Sequence, residues 1–533
     1  MESSTRQTLW HFHWRRVLGS EARRDQQLLA ACAELYSSSY GVWSTAARGA
    51  GLTPGERIRR APEDIAELLE SPESFLAVAE LPSGELVGYC VAVFTPTAGG
   101  EGRIAWVSQL VVGEAYRNAG VATNLLFSVW GFSDHYACGL VTSNPFAVRA
   151  LESATRRACR LAEIRRRGNQ VLQALQGKVS YLPSKLQNGS EHMRPVVDTQ
   201  FFVSHEELER MRRNAARESR PWALGDIDEG EEWFACTFRD QEPAPLSAEK
   251  LNDILVGADR VWMEAFARMT LGREHAWHRF APAEVDFILD EVELPTDAAV
   301  LDLGCGEGRH AVLLAERGYR VTGIDVVREL INRARSKHGE SDRLSFHGGD
   351  SRDLVPHARD RYELVLLLYD VLGASGSRDD DLRTLRNIAA VLSPDGRLVL
   401  SVMNAGAVVD RIPAAHLPDS DRAFARALED LPPSNTMEST GDIFNPDLLL
   451  HYGGTFYRKE QFELGHGLPS ELVVRDLRYR PEELGSLMEH AGFEVELLRP
   501  VQAGKWRRRP ELDTNDQRAK ELLVIARTRL RKD

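Results

Sequence analysis

An α/β protein of two domains is what this sequence predicts: a mixed α+β domain over residues 1–240 and a doubly wound parallel-sheet domain over 251–533. Three observations carry that expectation. In the first half, short apolar runs follow one another as a hairpin before helical stretches intervene. In the second half, buried-strand runs alternate with amphipathic helices, the order of a parallel sheet with crossover connections. Between them lies DQEPAPLSAEK, residues 240–250, whose two prolines mark it as a linker.

Taken in order, residues near 5–70 read as helices, with LLAACAELYSSSYGVW at helical spacing and APEDIAELLES as a capped amphipathic helix. SFLAVAE, the turn LPSGE and LVGYCVAVFT then predict an antiparallel hairpin. IAWVSQLVV is a third strand, and EAYRNAGVATNLLFSVWGF holds a glycine turn opening a helix. GLVTSNP reads as another strand, with a helix from Phe146 onward. Beyond the linker, LNDILVGADRVWMEAFARM and PAEVDFILDEVEL read as helices. Strands AAVLDLGC, YRVTGIDVV, LSFHGGD, YELVLLLYD and GRLVLSVMN then alternate with helices HAVLLAERG, ELINRARSKH and DDLRTLRNIAAVL. Residues 405–480 form an insertion in which HYGGTFYRKEQFE suggests a hairpin; it either covers a small-molecule substrate or makes a homodimer contact.

Composition narrows the function classes. At 533 residues, 43% hydrophobic and 27% charged, the chain has the makeup of a folded protein with more than one core. Charge is uneven: 27 basic against 29 acidic residues up to position 240, then 39 against 50. An acidic second half argues against non-specific nucleic-acid binding, which rests on neutralising phosphates. Cys32, Cys90, Cys138, Cys159, Cys236 and Cys305 form no CxxC pair and predict reduced thiols, with no metal site. No signal-like or membrane-spanning apolar run is present, so a cytoplasmic protein without membrane association is expected.

The strongest constellation is Val300-Leu301-Asp302-Leu303-Gly304-Cys305-Gly306-Glu307-Gly308-Arg309. A buried strand ends in three alternating glycines and runs straight into a helix. Glycines permit the tight turn and let a ligand lie against bare backbone beside the positive helix end. The next strand ends in Asp325-Val326, an acceptor for both hydroxyls of a ribose. The third ends in Gly349-Asp350-Ser351, where a carboxylate or hydroxyl can meet an adenine amino group. These sites converge where doubly wound sheets bind ligands. LDLGCGEG, GIDVV, GGDSRDL and LSPDGRLVL resemble the class I S-adenosylmethionine-dependent methyltransferases, a Rossmann-like family, over roughly 250–530. The resemblance implies that Asp302, Gly304, Cys305, Gly306 and Gly308 adjoin the methionine part of that cofactor. It assigns ribose to Asp325 with Val326, and adenine to Asp350 with Ser351. RYRPEELGSLMEHAGFEVELL and ELLVIARTR match the helix and last strands of that family. Tyr369 and Asp370, ending the fourth strand, face the substrate side in that family, and His275, Trp277 and His278 fall where a lid forms; the alternatives are a strand cap for Tyr369 and surface histidines for His275 and His278.

The first half holds a second constellation, Arg117-Asn118-Ala119-Gly120-Val121-Ala122, between a strand and a helix. Successive amides at a helix start make a pyrophosphate cradle. The spacing is similar to the Arg/Gln-x-x-Gly-x-Gly/Ala loop of the GCN5-related N-acetyltransferases (GNAT), over roughly 20–240. The resemblance implies that Val112 and Arg117 through Ala122 hold the pyrophosphate of acetyl-CoA, and that Asn144 meets the pantetheine arm or the helix after it. Many family members carry a glutamate base on the fourth strand; here it offers Ser108 and Gln109. The usual thiolate-protonating tyrosine is also missing after SNPFAVRALESATRR, and Cys159 stands only distantly in its place. Three readings follow: a fusion of two group-transfer enzymes acting on a small molecule, a methyltransferase regulated by a non-catalytic acyl-CoA sensor, or a modifier of a protein or nucleic acid. The arginines Arg149, Arg156, Arg157, Arg160, Arg165, Arg166 and Arg167 suit either a solvated helix face or contact with a phosphate, protein or nucleic acid.

Overall fold

The computed structural model describes residues 12–81, 83–97, 99–130, 135–186, 194–206, 210, 222–251, 276–354, 361–434, 442–461, 471–507 and 511–529. The chain divides into two compact units. One is Met1–Val261 with Asp421–Glu429 and Glu460–Val473; the other is Trp262–Ser420 with Asp430–Lys459 and Val474–Asp533. Part of the inserted segment thus belongs to the first unit.

The first unit is built on a seven-stranded sheet of β1 (His13–Leu18), β2 (Ser74–Glu80), β3 (Leu86–Pro96), β4 (Arg103–Val112), β5 (Ala137–Thr142), β6 (Val196–Phe201) and β7 (Gly230–Phe238), ordered β1-β2-β3-β4-β5-β7-β6. The expected hairpin is β2–β3. The expectation of helices alone near 5–70 is corrected: β1 lies there, antiparallel to β2. Arg15 and Arg16 break the apolar alternation of HWRRVL, yet Trp14 and Arg16 are both buried. The helices expected there are Gln26–Ser39, capped by Asp25, and Pro62–Leu68, whose Asp64 carboxylate accepts the Ala61 N–H. The helix after Asn144 stops at Arg156, in the left-handed region at φ 57°, and a second helix runs Leu161–Leu175.

The second unit carries β8 (Ala299–Leu303), β9 (Arg320–Asp325), β10 (Leu344–Gly348), β11 (Tyr362–Leu367) and β12 (Leu392–Met403), with β13 (Pro433–Ser434), β14 (Leu450–Tyr452), β15 (Thr455–Gln461), β16 (Glu471–Asp476), β17 (Phe493–Val501) and β18 (Glu521–Thr528) following in chain order. The large sheet runs β10-β9-β8-β11-β12-β18-β17. Its first five strands are parallel, and β18 is antiparallel to both β12 and β17. Order reverses between β8 and β11, opening the ligand crevice beside their carboxyl ends. Val300, Leu301, Leu364 and Leu366 are fully buried from both faces, which is why these strands read as unbroken apolar runs. β14 and β15 form the hairpin expected of HYGGTFYRKEQFE, turning at Gly453 and Gly454. Residues 252–275, most of the expected helix LNDILVGADRVWMEAFARM, lie outside the described residues. All six cysteines are buried free thiols.

Candidate functional site

In the second unit, the glycine turn is fixed by the strand beside it. Gly304 and Cys305 donate their amides to the Ile324 carbonyl at 2.8 and 3.1 Å. Gly306 donates to Asp325 Oδ2 at 2.9 Å, and Val327 donates to Asp325 Oδ1 at 2.8 Å. Gly304, Gly306 and Gly308 all have positive φ (72°, 56° and 84°), a backbone that side chains resist. A Cβ on Gly304 would strike Val371, and one on Gly308 would meet Phe346 at 2.7 Å. A Cβ on Gly306 would meet nothing within 4 Å, so that glycine borders open space.

Asp302 is buried, and its Oδ2 lacks a hydrogen-bond partner. Burial pushes its carboxyl up, with His310 and Arg309 opposing. Burial raises Asp325 as well, against the two amides that favour its charged form. Val326 is half exposed beside it. Burial would raise Asp350 too, but the Arg352 guanidinium, bonded to both carboxylate oxygens at 2.7–3.1 Å, holds it below the usual range. Asp350 is thus an ion-paired carboxylate already engaged with its own chain, while Ser351 Oγ lies 3.4 Å from Thr384 Oγ1. Cys305 is buried with its thiol pushed well up by burial, an inert packing residue. Asp370 is exposed. His275 lies outside the described residues, and His278 is half-buried.

In the first unit, β4 and β5 pair only over Ile104–Val107 and Ala137–Leu140. Ser108 sits in a bulge of β4 opposite β3, between Val107 paired with Ala92 and Gln109 paired with Val91. Beyond it the two parallel strands part. The 117–120 loop follows, with Asn118 and Gly120 at φ 64° and 79°, and opens the Val121–Trp130 helix. The Arg117 amide donates to Glu114 O at 3.4 Å, and the helix's backbone bonding opens with Asn124 N–H to Gly120 O at 3.0 Å. Arg117 is anchored to the Ser39 carbonyl, while Ala119 is exposed and Ala122 and Val112 are half-buried. Val121 is buried. Asn144 caps the Pro145–Thr155 helix, its Oδ1 accepting from Phe146 N at 2.9 Å. Gln109 is buried and accepts from the Tyr89 hydroxyl at 2.7 Å.

Residues 300–396 match the family described as "Methyltransferase domain", and residues 30–152 match the "Acetyltransferase (GNAT) family". The chain joins a GNAT-family domain to a methyltransferase domain. The methyltransferase part is 27% identical over 205 residues to a Bacillus subtilis (strain 168) protein, YqeM, named as a methyltransferase; that stretch is 38% of this chain and 77% of the relative. It is also 27% identical to the glycine/sarcosine N-methyltransferase of Aphanothece halophytica, over 25% of this chain and 51% of that one. Identity to the ubiquinone biosynthesis O-methyltransferase of Xanthomonas campestris pv. campestris (strain B100) is 31%, over 27% of this chain and 56% of that one. The chain thus spans about half the length of the last two. Among solved structures, the CcbJ methyltransferase from Streptomyces caelestis is 16% identical with a TM-score of 0.32, covering 47% of this chain and 90% of that one.

Sequence reasoning missed a buried polar cluster inside the methyltransferase domain. Glu284, on the Ala276–Glu291 helix, accepts the Tyr369 hydroxyl at 2.7 Å and the Gly504 amide at 3.2 Å through Oε1. Its Oε2 lies 2.9 Å from His310 Nε2. Tyr369 itself has φ 68°, donates its amide to Ser401 Oγ at 2.6 Å and lies under the Arg309 guanidinium, 4.3 Å from the ring centre. Tyr369 is therefore tied into the scaffold through both ends of the residue. These partners come from separated segments, none with a motif; only the burial of Glu284 inside an amphipathic helix could have hinted at them. The GNAT domain likewise gathers residues that the sequence left unmarked. The Tyr181 hydroxyl lies 3.4 Å from the Ser108 carbonyl at the β4 bulge, and buried Glu232 accepts from Ser143 N at 3.2 Å, just past β5. Most of the arginine run is neutralised locally: Arg149 by Glu152, Arg156 and Arg157 by Glu429, Arg166 by Glu163, and Arg167 by Glu163 and Asp240.

Among the described residues, no group of His, Cys, Asp or Glu could hold a metal ion, and no helix is long and apolar enough to cross a membrane.

Proposed function

We propose that the methyltransferase domain binds S-adenosylmethionine and methylates a small-molecule acceptor, and that the GNAT domain binds acetyl-CoA and acetylates an amine. One observation carries the first part. Gly306 borders open space while Asp325, Asp302 and the 304–308 turn meet at the carboxyl ends of β8 and β9. The residues fit the cofactor: the unpartnered Asp302 Oδ2 is a buried acceptor that a bound ammonium group would satisfy. Asp325 spends one acceptor site per oxygen on backbone amides, and each carboxylate oxygen keeps a second for a ribose hydroxyl. When bound, the cofactor supplies a methyl group activated on a sulfonium. The chain's own work is to orient donor and acceptor and to exclude water, which is where a methyl transfer gains most. The Glu284–His310–Tyr369 ties hold the Ala276–Glu291 helix against the turn after β11.

For the GNAT domain, the parting of β4 and β5 beside the 117–120 loop supports acyl-CoA binding. A regulatory reading is favoured by one feature: β4 offers Ser108 and a Gln109 committed to Tyr89, and no carboxylate. Calorimetry of the full chain with each cofactor, followed by metabolite profiling of a deletion strain, tests the proposal. Absence of heat with S-adenosylmethionine would refute it. A methylation rate that depends on acetyl-CoA would select the regulatory reading.

A further inference from the structure

Glu521 opens β18, paired with Met403 at the carboxyl end of β12 and with Val501 of β17. It is 6% exposed, and its Oε2 and the Trp506 indole N–H beside it both lack a well-formed hydrogen bond. An uncompensated buried carboxylate oxygen is costly unless something occupies it. Groups from four segments bear on it: Glu284 from the Ala276–Glu291 helix, Arg309 after the glycine turn, Asp370 after β11, and Trp506 after β17. Tyr369 feels its charge in turn. Glu521 therefore belongs to the same carboxyl-end cluster as the glycine turn, although it lies 217 positions after Gly304 in the chain. Burial, reinforced by Glu284 and Asp370 and opposed by Trp506 and Arg309, pushes its carboxyl up to about 8.

We propose that Glu521 is the proton acceptor of the methyl-transfer cleft and that the acceptor it serves is an amine arriving as an ammonium ion. The inference rests on the methyltransferase reading above. The charged groups that bear on Glu521 are two carboxylates, Glu284 and Asp370, against one cation, Arg309. A cationic acceptor gains from that field, whereas a phenolate or carboxylate acceptor is repelled. In the step assigned to Glu521, one ammonium N–H bond breaks and one carboxyl O–H bond forms. The freed electron pair stays on nitrogen as the nucleophilic lone pair. A base that titrates near the working pH suits this exchange.

The test uses the full chain with glutamate carboxyl carbons labelled with carbon-13, compared with Glu521→Gln to assign the resonance. The probe is n-butylammonium, with n-butanol as its neutral counterpart. Glu521 is expected to titrate near 8, well above an ordinary glutamate, and to shift with n-butylammonium but not with n-butanol. Glu521→Gln should bind S-adenosylmethionine within about threefold of wild type while losing the butylammonium response. Titration in the ordinary range, an equal response to butanol, or no response to butylammonium overturns the inference. Failure of wild type to bind S-adenosylmethionine overturns the underlying reading instead, and calorimetry on the same samples separates the two.

Discussion

The Gly306 amide donates to Asp325 Oδ2 at 2.9 Å, tying the turn after β8 to the carboxylate that ends β9. One residue thereby shapes the loop and stands at the proposed ligand site. Substitutions at either position should act on cofactor binding before they act on the fold.

Gly306 and Gly304 should respond differently to alanine. At Gly306, φ is 56° and a Cβ meets nothing, so the cost is about 1–2 kcal/mol of backbone strain. Gly306→Ala should melt within a few degrees of wild type yet bind S-adenosylmethionine at least about tenfold more weakly, since the methyl enters the cleft. Gly304→Ala must also displace Val371 and should lower the melting temperature further. Thermal melts and calorimetry on both variants check the contrast.

Asp302 makes the stability of the free protein depend on pH. Burial raises its folded-state pKa above the unfolded value, so the folded state holds the proton more tightly. That contribution is fully present below the ordinary carboxylate range and is lost as pH rises through the raised value. Asp302→Asn should therefore leave the melting temperature nearly unchanged at acid pH. At neutral pH it should raise it, because the cost of the buried charge is removed. The same variant should bind S-adenosylmethionine more weakly. A melting difference that does not change with pH would contradict the assignment.

Gly120 sits at φ 79° at the mouth of the GNAT loop, with Asn124 Nδ2 the nearest group to a would-be Cβ at 3.9 Å. Gly120→Glu should abolish acetyl-CoA binding by adding charge where the pyrophosphate approaches. Gly120→Asn tolerates the left-handed backbone and should retain more of it. Methyl transfer should stay near the wild-type rate in both. An acetyl-CoA effect on methylation in wild type that vanishes in Gly120→Glu would favour the regulatory reading.

Glu429 takes hydrogen bonds from both Arg156 and Arg157, the latter at 2.8 Å, and the side chains of all three are at most 13% exposed. Burial pulls Arg156 down to about 10, with Glu429 opposing. Glu429→Ala leaves two buried guanidinium groups without their carboxylate and should cost about 3–5 kcal/mol in the first unit. Urea unfolding followed by tryptophan fluorescence measures it. A loss below about 1 kcal/mol would mean that the pair behaves as a solvent-exposed one.

The alternation of strand and helix from AAVLDLGC onward was legible because strands buried on both faces are apolar throughout, and glycine turns announce their ends. β1 was not, because a buried arginine, Arg16, stands where the pattern calls for an apolar residue. Asp302, Gly306 and Asp325, the residues proposed to face the cofactor, lie within one βαβ unit, so spacing alone brings them together. Glu284, Tyr369, Ser401 and Glu521 meet only through the sheet's strand order, which no local spacing encodes. Asp350 is recognisable by position, but no local spacing marks its pairing with Arg352 two residues on.

Titrating S-adenosylmethionine into the full chain and into Asp325→Ala tests the cofactor site most directly. Wild type should bind one equivalent per chain. The variant loses a charged acceptor for the ribose hydroxyls together with the tie to Gly306, about 2–3 kcal/mol or roughly 30- to 150-fold in Kd. Unchanged affinity in Asp325→Ala would contradict the placement of the cofactor between β8 and β9.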